Sequence, residues 1–147
     1  MYELIVVGTD GSETAQRAVT EACALAKALG SELHLVSAYE PMRGARVGGA
    51  AGGAVEGAQI PPDAAVQAVV EETTAAARLT GVEVTVHTAK GDAADALLAV
   101  AAREKADLIV VGNRGMHGAK RILGSVPNKV SHQARCHVLI VATDEPS

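Results

Sequence analysis

Short apolar runs alternate along this chain with longer segments in which alanine, valine and leucine recur at helical spacing. The first run, Leu4–Val7, is apolar without interruption, which indicates a strand buried on both faces. Gly8–Gly11 then reads as a tight turn, Ser12 as a helix N-cap, and Gly30 as the end of the helix that follows. The first unit is therefore predicted to be a strand, a glycine turn and a helix.

The same pattern recurs to the end of the chain. Further strands are predicted at residues 33–38, 82–88, 107–111 and 138–142, and further helices at 61–80, 92–103 and 125–134. Gly81 is the predicted end of the helix at 61–80. Five strands alternating with four helices predict a three-layer α/β fold: a parallel sheet, of expected order 3-2-1-4-5, covered on both faces through right-handed crossovers. The length of 147 residues fits one domain, 1–147.

One segment interrupts this pattern. Residues 43–59 are so rich in glycine and alanine that they cannot bury enough surface to offset the entropy lost on ordering. We expect a mobile loop here. It either orders over a ligand as a lid or is simply disordered.

Composition and charge exclude several functions. The chain has no Phe or Trp, so its core must be built from Ala, Val, Leu and Ile. A formal net charge of −4, without a basic stripe or interleaved aromatic residues, argues against a nucleic-acid partner. The N-terminal apolar run is too short for a signal peptide or membrane span, so we expect a cytoplasmic protein without membrane contact. Cys23 and Cys136 lack metal-ligand spacing and are predicted to be buried thiols.

Two glycine-rich strand ends mark the candidate site. In open parallel sheets, ligands bind beyond the carboxyl ends of the strands, where the strand order reverses. With the order 3-2-1-4-5, the segments 8–12 and 112–118 flank that crevice. Gly112 and Gly115 can turn with positive φ and leave backbone N–H groups uncovered, and Gly124-Ser125 opens the next helix with more donors. The pattern predicts a cradle for an anion such as a nucleotide phosphate.

The spacing of the glycines from Gly112 to Gly124 matches neither the dinucleotide-binding GxGxxG motif nor the motif of a P-loop. Asp10 either accepts hydrogen bonds from ribose hydroxyls or caps the turn, and residue type alone does not decide between these roles. Ser125 is a candidate phosphate ligand and equally an ordinary N-cap. Arg114, Lys120 and Arg121 supply positive charge near the cradle, either as ligand contacts or as solvated surface.

The residues that usually carry catalysis or bind metals form no recognisable constellation. His34, His87 and His137 lie in predicted strands, His117 in the glycine segment and His132 on a helix, without the spacing of a ligand pair. No general base stands out, so binding is better supported than catalysis. We expect neither a metal site nor an enzyme.

Three segments of the chain are informative when taken together: IVVGTDGSETAQRAV, GDAADALLAVAAREKADLIVVGNRG and GSVPNKVSHQARCHVLIV. They resemble the universal stress protein family, and the resemblance covers the whole chain. The resemblance implies a stress-response or regulatory protein that binds an adenine nucleotide in the crevice beyond strands one and four. The expected nucleotide is ATP, with or without magnesium, and we expect slow ATP hydrolysis at most. Alternatives are cyclic AMP, or no nucleotide at all.

The resemblance also implies roles for residues. Asp10 would lie against the ribose or base, Ala38 would line the adenine pocket, and the glycine segment with Ser125 would hold ribose and phosphates. The full set of expected nucleotide-binding residues is Gly8, Thr9, Asp10, Ala38, Val111, Gly112, Arg114, Gly115, Met116, Gly124, Ser125 and Val126. The family motif G-x2-G-x9-G-[ST] has nine residues between its second and third glycines. In this chain eight residues separate Gly115 from Gly124.

Family members commonly pair their last strands, so the resemblance implies a homodimer through Val138, Leu139, Ile140 and Val141. An unpaired apolar edge strand is an aggregation hazard, which is an independent physical reason for the dimer. The shortened glycine spacing supports a second hypothesis, a dimeric interaction module that binds an unknown protein partner and no nucleotide. A synthetase-type enzyme would need an SGGxDS-type pyrophosphate loop after the first strand, where this chain has GTDGSET.

Overall fold

The computed structural model describes residues 2–10, 13–39, 64–113 and 125–142. Within these ranges it confirms the predicted alternation of five strands and four helices. The strands are β1 (Leu4–Thr9), β2 (Glu32–Tyr39), β3 (Val84–Lys90), β4 (Leu108–Gly112) and β5 (His137–Val141), and the helices are α1 (Glu13–Leu29), α2 (Ala64–Leu79), α3 (Ala93–Glu104) and α4 (Ser125–Gln133). The loop predicted at 43–59 lies outside the described residues, as do 61–63, where the second helix was expected to begin.

The strands form one parallel sheet in the order β3-β2-β1-β4-β5, as the sequence predicts. Strand β1 lies at its centre: Val6 pairs with His34 of β2 on one side and with Ile109 of β4 on the other. The order reverses at β1, so the carboxyl ends of β1 and β4 flank a crevice.

The core consists of two layers, one on each face of the sheet. Ile5 and Val7 belong to the layer beneath α1 and α2, whereas Val6 and Ile109 belong to the layer beneath α3 and α4. All four side chains are completely buried. Burial on both faces explains why the central strands are continuous apolar runs rather than alternating ones.

Several predicted strand ends are wrong by one or two residues. β1 continues to Thr9 rather than ending at Val7, because Gly8 and Thr9 extend the ladder opposite Val36 and Ser37 of β2. Conversely, β3 begins at Val84 rather than at residue 82. The ladder between neighbouring strands decides where a strand ends, and the local sequence contains little information about it.

The expected positive φ at Gly112 is also wrong. Gly112 is the last residue of β4, pairs with Val141 of β5 and is not among the described glycines with positive φ. Its extended conformation is stabilised because Asn113 N–H, just beyond it, donates to the Val141 carbonyl at 2.9 Å. Gly30 and Gly81 do have positive φ, at 70° and 93°, and follow α1 and α2 as predicted.

The two cysteines differ in burial. Cys23 on α1 is buried among the core residues, as predicted, and burial raises the pKa of its thiol. Cys136, just before β5, is only half-buried, which corrects the expectation of two buried thiols. It precedes β5, which among the described strands lies at the edge of the sheet and has β4 as its one neighbour. Among the described residues, no helix is both long and apolar enough to cross a membrane.

Candidate functional site

A cavity of about 390 Å³ opens at the carboxyl ends of the central strands, where the sheet order reverses. Its volume falls within the usual range for small-molecule sites, roughly 300–1,000 Å³. Its walls come from β1, β2 and β4, from the first two turns of α1 and α3, and from the first turn of α4. The lining residues are Gly8, Thr9, Asp10, Thr14, Ala15, Ala18, Val36, Ala38, Ala93, Leu97, Val111, Gly112, Val126 and Pro127.

The cavity brings together most of the predicted site residues that the structure describes. These are Gly8, Thr9, Asp10, Ala38, Val111, Gly112 and Val126. Ser125 is exposed at the first position of α4 and does not line the cavity. The remaining predicted residues, Arg114, Gly115, Met116 and Gly124, lie outside the described residues, as do Lys120 and Arg121.

Gly8 shapes the cavity because its missing side chain lets α3 approach β1 closely. It does not act as a turn residue. A Cβ atom at this position would lie 3.1 Å and 3.2 Å from the two terminal methyl groups of Leu97 on α3. That is tighter than ordinary van der Waals contact, so any side chain here would push against Leu97. Glycine therefore allows α3 to pack directly on the end of β1, and Leu97 forms a wall of the cavity.

Sequence reasoning missed the helical walls. Thr14, Ala15 and Ala18 line the cavity from α1, and Ala93 and Leu97 line it from α3. A partial signal existed, because small residues recur at the start of both helices, directly after the predicted strand ends. Small side chains at these positions leave the space that the cavity occupies.

Ion pairs join the two helices, α3 and α4, that form one side of the site. Lys129 on α4 lies 2.7 Å from Asp95 Oδ1 and 3.6 Å from Asp92 Oδ2, both at the start of α3. Asp92 is also the N-cap of α3, since its carboxylate accepts from the Asp95 N–H. The hydrogen bond with Asp95 raises the pKa of Lys129. The contact is solvent-exposed and joins α3 to α4, the helices that provide Ala93 and Val126 to the cavity.

The cavity combines apolar walls with a few polar groups. Val36, Ala38 and Leu97 are apolar, whereas Thr9, Thr14 and Asp10 contribute oxygen atoms. Thr9 is buried and Asp10 is exposed. Such a site can hold a flat apolar ring against its walls and hydrogen-bond hydroxyl groups at its mouth.

A second cavity, of about 540 Å³, lies on the α3 and α4 side of the sheet, away from this crevice. Its lining includes Leu98, Ile109 and Cys136, with Lys105 and Arg135 as its charged residues. None of the predicted site residues that the structure describes lines it. Although it is larger, its place in the fold is not where parallel sheets bind ligands, so we assign the candidate site to the first cavity.

The parallel sheet, with helices on both faces, defines a doubly wound α/β domain. Its cavity lies where the strand order reverses, which is the usual position of a ligand in this class of fold. The chain belongs to the universal stress protein family: a sequence model of that family matches residues 1–142. This confirms the family resemblance of the sequence and agrees with the observed sheet order.

Individual relatives are similar over nearly their full length. A universal stress protein of Mycobacterium tuberculosis strain H37Rv is 39% identical over 145 residues, covering 97% of each chain. A universal stress protein of Thermus aquaticus is 34% identical over 155 residues, covering 96% of this chain and 99% of the relative. A crystal structure of a universal stress protein in complex with cAMP is 34% identical, with a TM-score of 0.74 and coverage of 97% and 98%.

Proposed function

We propose that this protein binds an adenine nucleotide in the crevice of its sheet and acts as a regulatory or stress-response protein rather than as an enzyme. One observation carries the proposal: predicted nucleotide-binding residues separated by more than 100 positions in sequence, such as Gly8 and Val126, line one cavity. A universal stress protein 34% identical to this chain is in complex with cAMP, which supports an adenine-containing ligand.

In the proposed complex, the adenine ring lies against the apolar side of the cavity, near Val36 and Ala38. Asp10 accepts hydrogen bonds from the ribose hydroxyls, because an ionised carboxylate is an acceptor with two oxygen atoms. The phosphates extend towards Gly112 and Val126, at the start of α4, where helix N–H groups favour an anion.

Two nucleotides are candidates, and different observations favour them. ATP is the ligand that the glycine-rich segment and the family resemblance favour. Cyclic AMP is favoured by the similar protein that is in complex with it. Among the described residues no cluster of three or more His, Cys, Asp or Glu side chains could hold a metal ion. In the proposed complex magnesium enters with ATP, because Mg²⁺ in such sites is bound largely by the phosphate oxygens of the nucleotide.

Calorimetric titration of the full chain with Mg-ATP, and separately with cyclic AMP, tests the proposal. We expect a dissociation constant in the micromolar range for at least one of them, about −8 kcal/mol in binding free energy. The chain has no Trp, so heat is a better signal than intrinsic fluorescence. If a folded sample releases no heat with either nucleotide, the proposal fails and the interaction-module hypothesis takes its place.

We further propose that the protein forms a homodimer through β5. Within the described part of the chain, β5 pairs with β4 alone. Leu139 and Ile140 are 37% and 36% exposed, and as consecutive strand residues they point to opposite faces. An edge strand that is apolar on both faces favours pairing with a second copy, which would satisfy its backbone hydrogen bonds and cover these side chains.

Replacing Ile140 with lysine should convert the dimer into a folded monomer. An unpaired charge buried in an interface costs about 3–5 kcal/mol, enough to raise the dissociation constant more than about 100-fold. Sedimentation velocity measures the change. Val86→Lys is a matched control, since Val86 is also 36% exposed but lies on β3, at the opposite edge of the sheet. A dimer that survives Ile140→Lys but not Val86→Lys would place the interface at the wrong edge.

A further inference from the structure

Two histidines lie side by side on the sheet face that α3 covers, on the neighbouring strands β2 and β3. His34 is only 5% exposed, and His87 is partly exposed. In the register of these strands His87 is opposite Val36, two residues beyond His34 on the same face. The two ring planes are inclined by 24° with centroids 4.9 Å apart, and His34 Nδ1 lies 2.8 Å from His87 Nε2, so the rings meet through these nitrogen atoms.

Both outer nitrogens of this pair also have partners. Arg103, near the end of α3, places Nη2 at 3.2 Å from His87 Nδ1. Glu32, at the start of β2, places Oε1 at 3.4 Å from His34 Nε2. The four side chains thus form one continuous array from α3 through β3 to β2.

The two ends of the array determine where its protons lie. A guanidinium only donates, so His87 Nδ1 must accept from Arg103. An ionised carboxylate only accepts, so His34 Nε2–H must donate to Glu32. The bond in the middle then has one consistent direction, with His87 Nε2–H donating to His34 Nδ1. Every ring nitrogen is satisfied when both histidines are neutral and carry their proton on Nε2.

A further proton has no favourable position in the array. The two nitrogens without hydrogen are the Nδ1 atoms, and each already accepts a hydrogen bond. Protonating His87 Nδ1 would set its N–H against the Arg103 guanidinium. Protonating His34 Nδ1 would set two N–H groups against each other, unless His87 changes tautomer and then faces Arg103 with an N–H. Either way at least one hydrogen bond breaks.

The charges around the pair act mainly in the same direction. Partial burial lowers the pKa of His87, and the positive charge of Arg103 and a protonated His34 lower it further. The carboxylate of Glu104 on α3 opposes this effect, and Glu32 on β2 faces His34 rather than His87. Of these groups, Arg103 opposes protonation of His87 in two ways: its positive charge repels the proton, and its N–H already donates to Nδ1, the atom that the proton would bind.

We propose that Arg103, His87, His34 and Glu32 form a proton-sensitive latch, which fastens the C-terminal turn of α3 to the edge of the sheet only while both histidines are neutral. Acidification releases Arg103 from His87 and loosens this turn. The proposal needs no nucleotide and is independent of the function proposed above.

The sign of the effect on stability follows from linkage. A histidine whose pKa is lower in the folded state than its ordinary value near 6.5 binds more protons when unfolded. The latch therefore contributes its full stability above pH 6.5, and this contribution is lost as the pH falls through the lowered pKa of His87.

Long-range ¹H–¹⁵N NMR of the histidine rings in the full chain tests the latch directly. At pH 7.5 we expect both His34 and His87 as the Nε2–H tautomer. On acidification, His87 should titrate at a lower pH than in the urea-unfolded chain, which serves as the reference. A His87 midpoint at or above that of the unfolded chain would overturn the proposal.

Two arginine variants separate the latch from general charge effects. Arg103→Leu keeps an apolar stem but removes the donor to His87 Nδ1, so the His87 midpoint should shift upwards. Arg78→Leu is the matched control, because Arg78 contacts the same strand by donating to the Val84 carbonyl at 3.1 Å from α2, on the other side of the sheet. Equal shifts in the two variants would refute a specific role for Arg103.

Urea unfolding at pH 7.5 and pH 5.5 adds a thermodynamic measurement. The wild-type protein should lose stability between these values, and His87→Gln should lose less, because glutamine does not titrate. His132→Gln is the control: His132 is exposed on α4 and bonds to the Asn128 carbonyl of its own helix. If His87→Gln shows the full pH dependence of the wild type, the latch does not exist.

Discussion

Replacing Ile109 with alanine is expected to lower the free energy of unfolding by about 2–5 kcal/mol. Ile109 is completely buried, lies on β4 beside the central strand and packs in the layer beneath α3 and α4. The loss combines the transfer free energy of three missing carbon atoms with the cavity that they leave. A core without Phe or Trp depends on such aliphatic contacts. Urea unfolding monitored by circular dichroism measures the change.

Leu79→Ala is the control for this prediction. Leu79 ends α2 and is 88% exposed, so its truncation should change the free energy of unfolding by no more than about 0.5 kcal/mol. Comparable losses in the two variants would show that burial in this structure does not report the contribution of a side chain to stability. A loss confined to Ile109→Ala would support the arrangement of the second core layer.

Replacing Asp10 with alanine should weaken nucleotide binding by roughly 10-fold to 100-fold. Hydrogen bonds to a charged group contribute about 1.5–3 kcal/mol, and 1.4 kcal/mol corresponds to a factor of ten. Asp10 follows β1, is exposed and lines the cavity, so its removal leaves the core intact. Calorimetric titration with whichever nucleotide the wild-type protein binds measures the change.

Glu21→Ala provides the matched control for Asp10. Glu21 is an exposed carboxylate on α1, it does not line the cavity, and its removal changes the net charge by the same amount. Nucleotide affinity should be unaffected by this variant. If Asp10→Ala binds as tightly as Glu21→Ala, the proposed contact of Asp10 with the ribose is wrong, even if the nucleotide occupies the cavity.

Much of the fold could be predicted because it depends on periodicities that are local in sequence. The run Leu4–Val7 indicates a strand buried on both faces, and the glycines at 30 and 81 indicate helix ends. These signals need only neighbouring residues. The order 3-2-1-4-5 was expected for a parallel sheet with helices on both faces, and the structure confirms it.

The candidate site was predictable only in part. The strand ends at Gly8 and Gly112 carry a visible glycine signal, whereas the walls from α1 and α3 do not, because alanine and leucine are equally typical of ordinary helix packing. The role of Gly8 was predicted as a turn. In the structure it is a strand residue that leaves room for the side chain of Leu97, which is 89 positions away in sequence.

The sequence by itself determined the alternation of strands and helices, the parallel sheet and the two strand ends that face the crevice, because hydrophobic period, turn residues and connection rules specify these features. Only the tertiary structure decided where β1 ends, how closely α3 approaches it, and which polar side chains meet, such as His34 with His87. Those features depend on the register of neighbouring strands and on packing between distant segments. Both arise when the chain folds and leave no periodic signal along it.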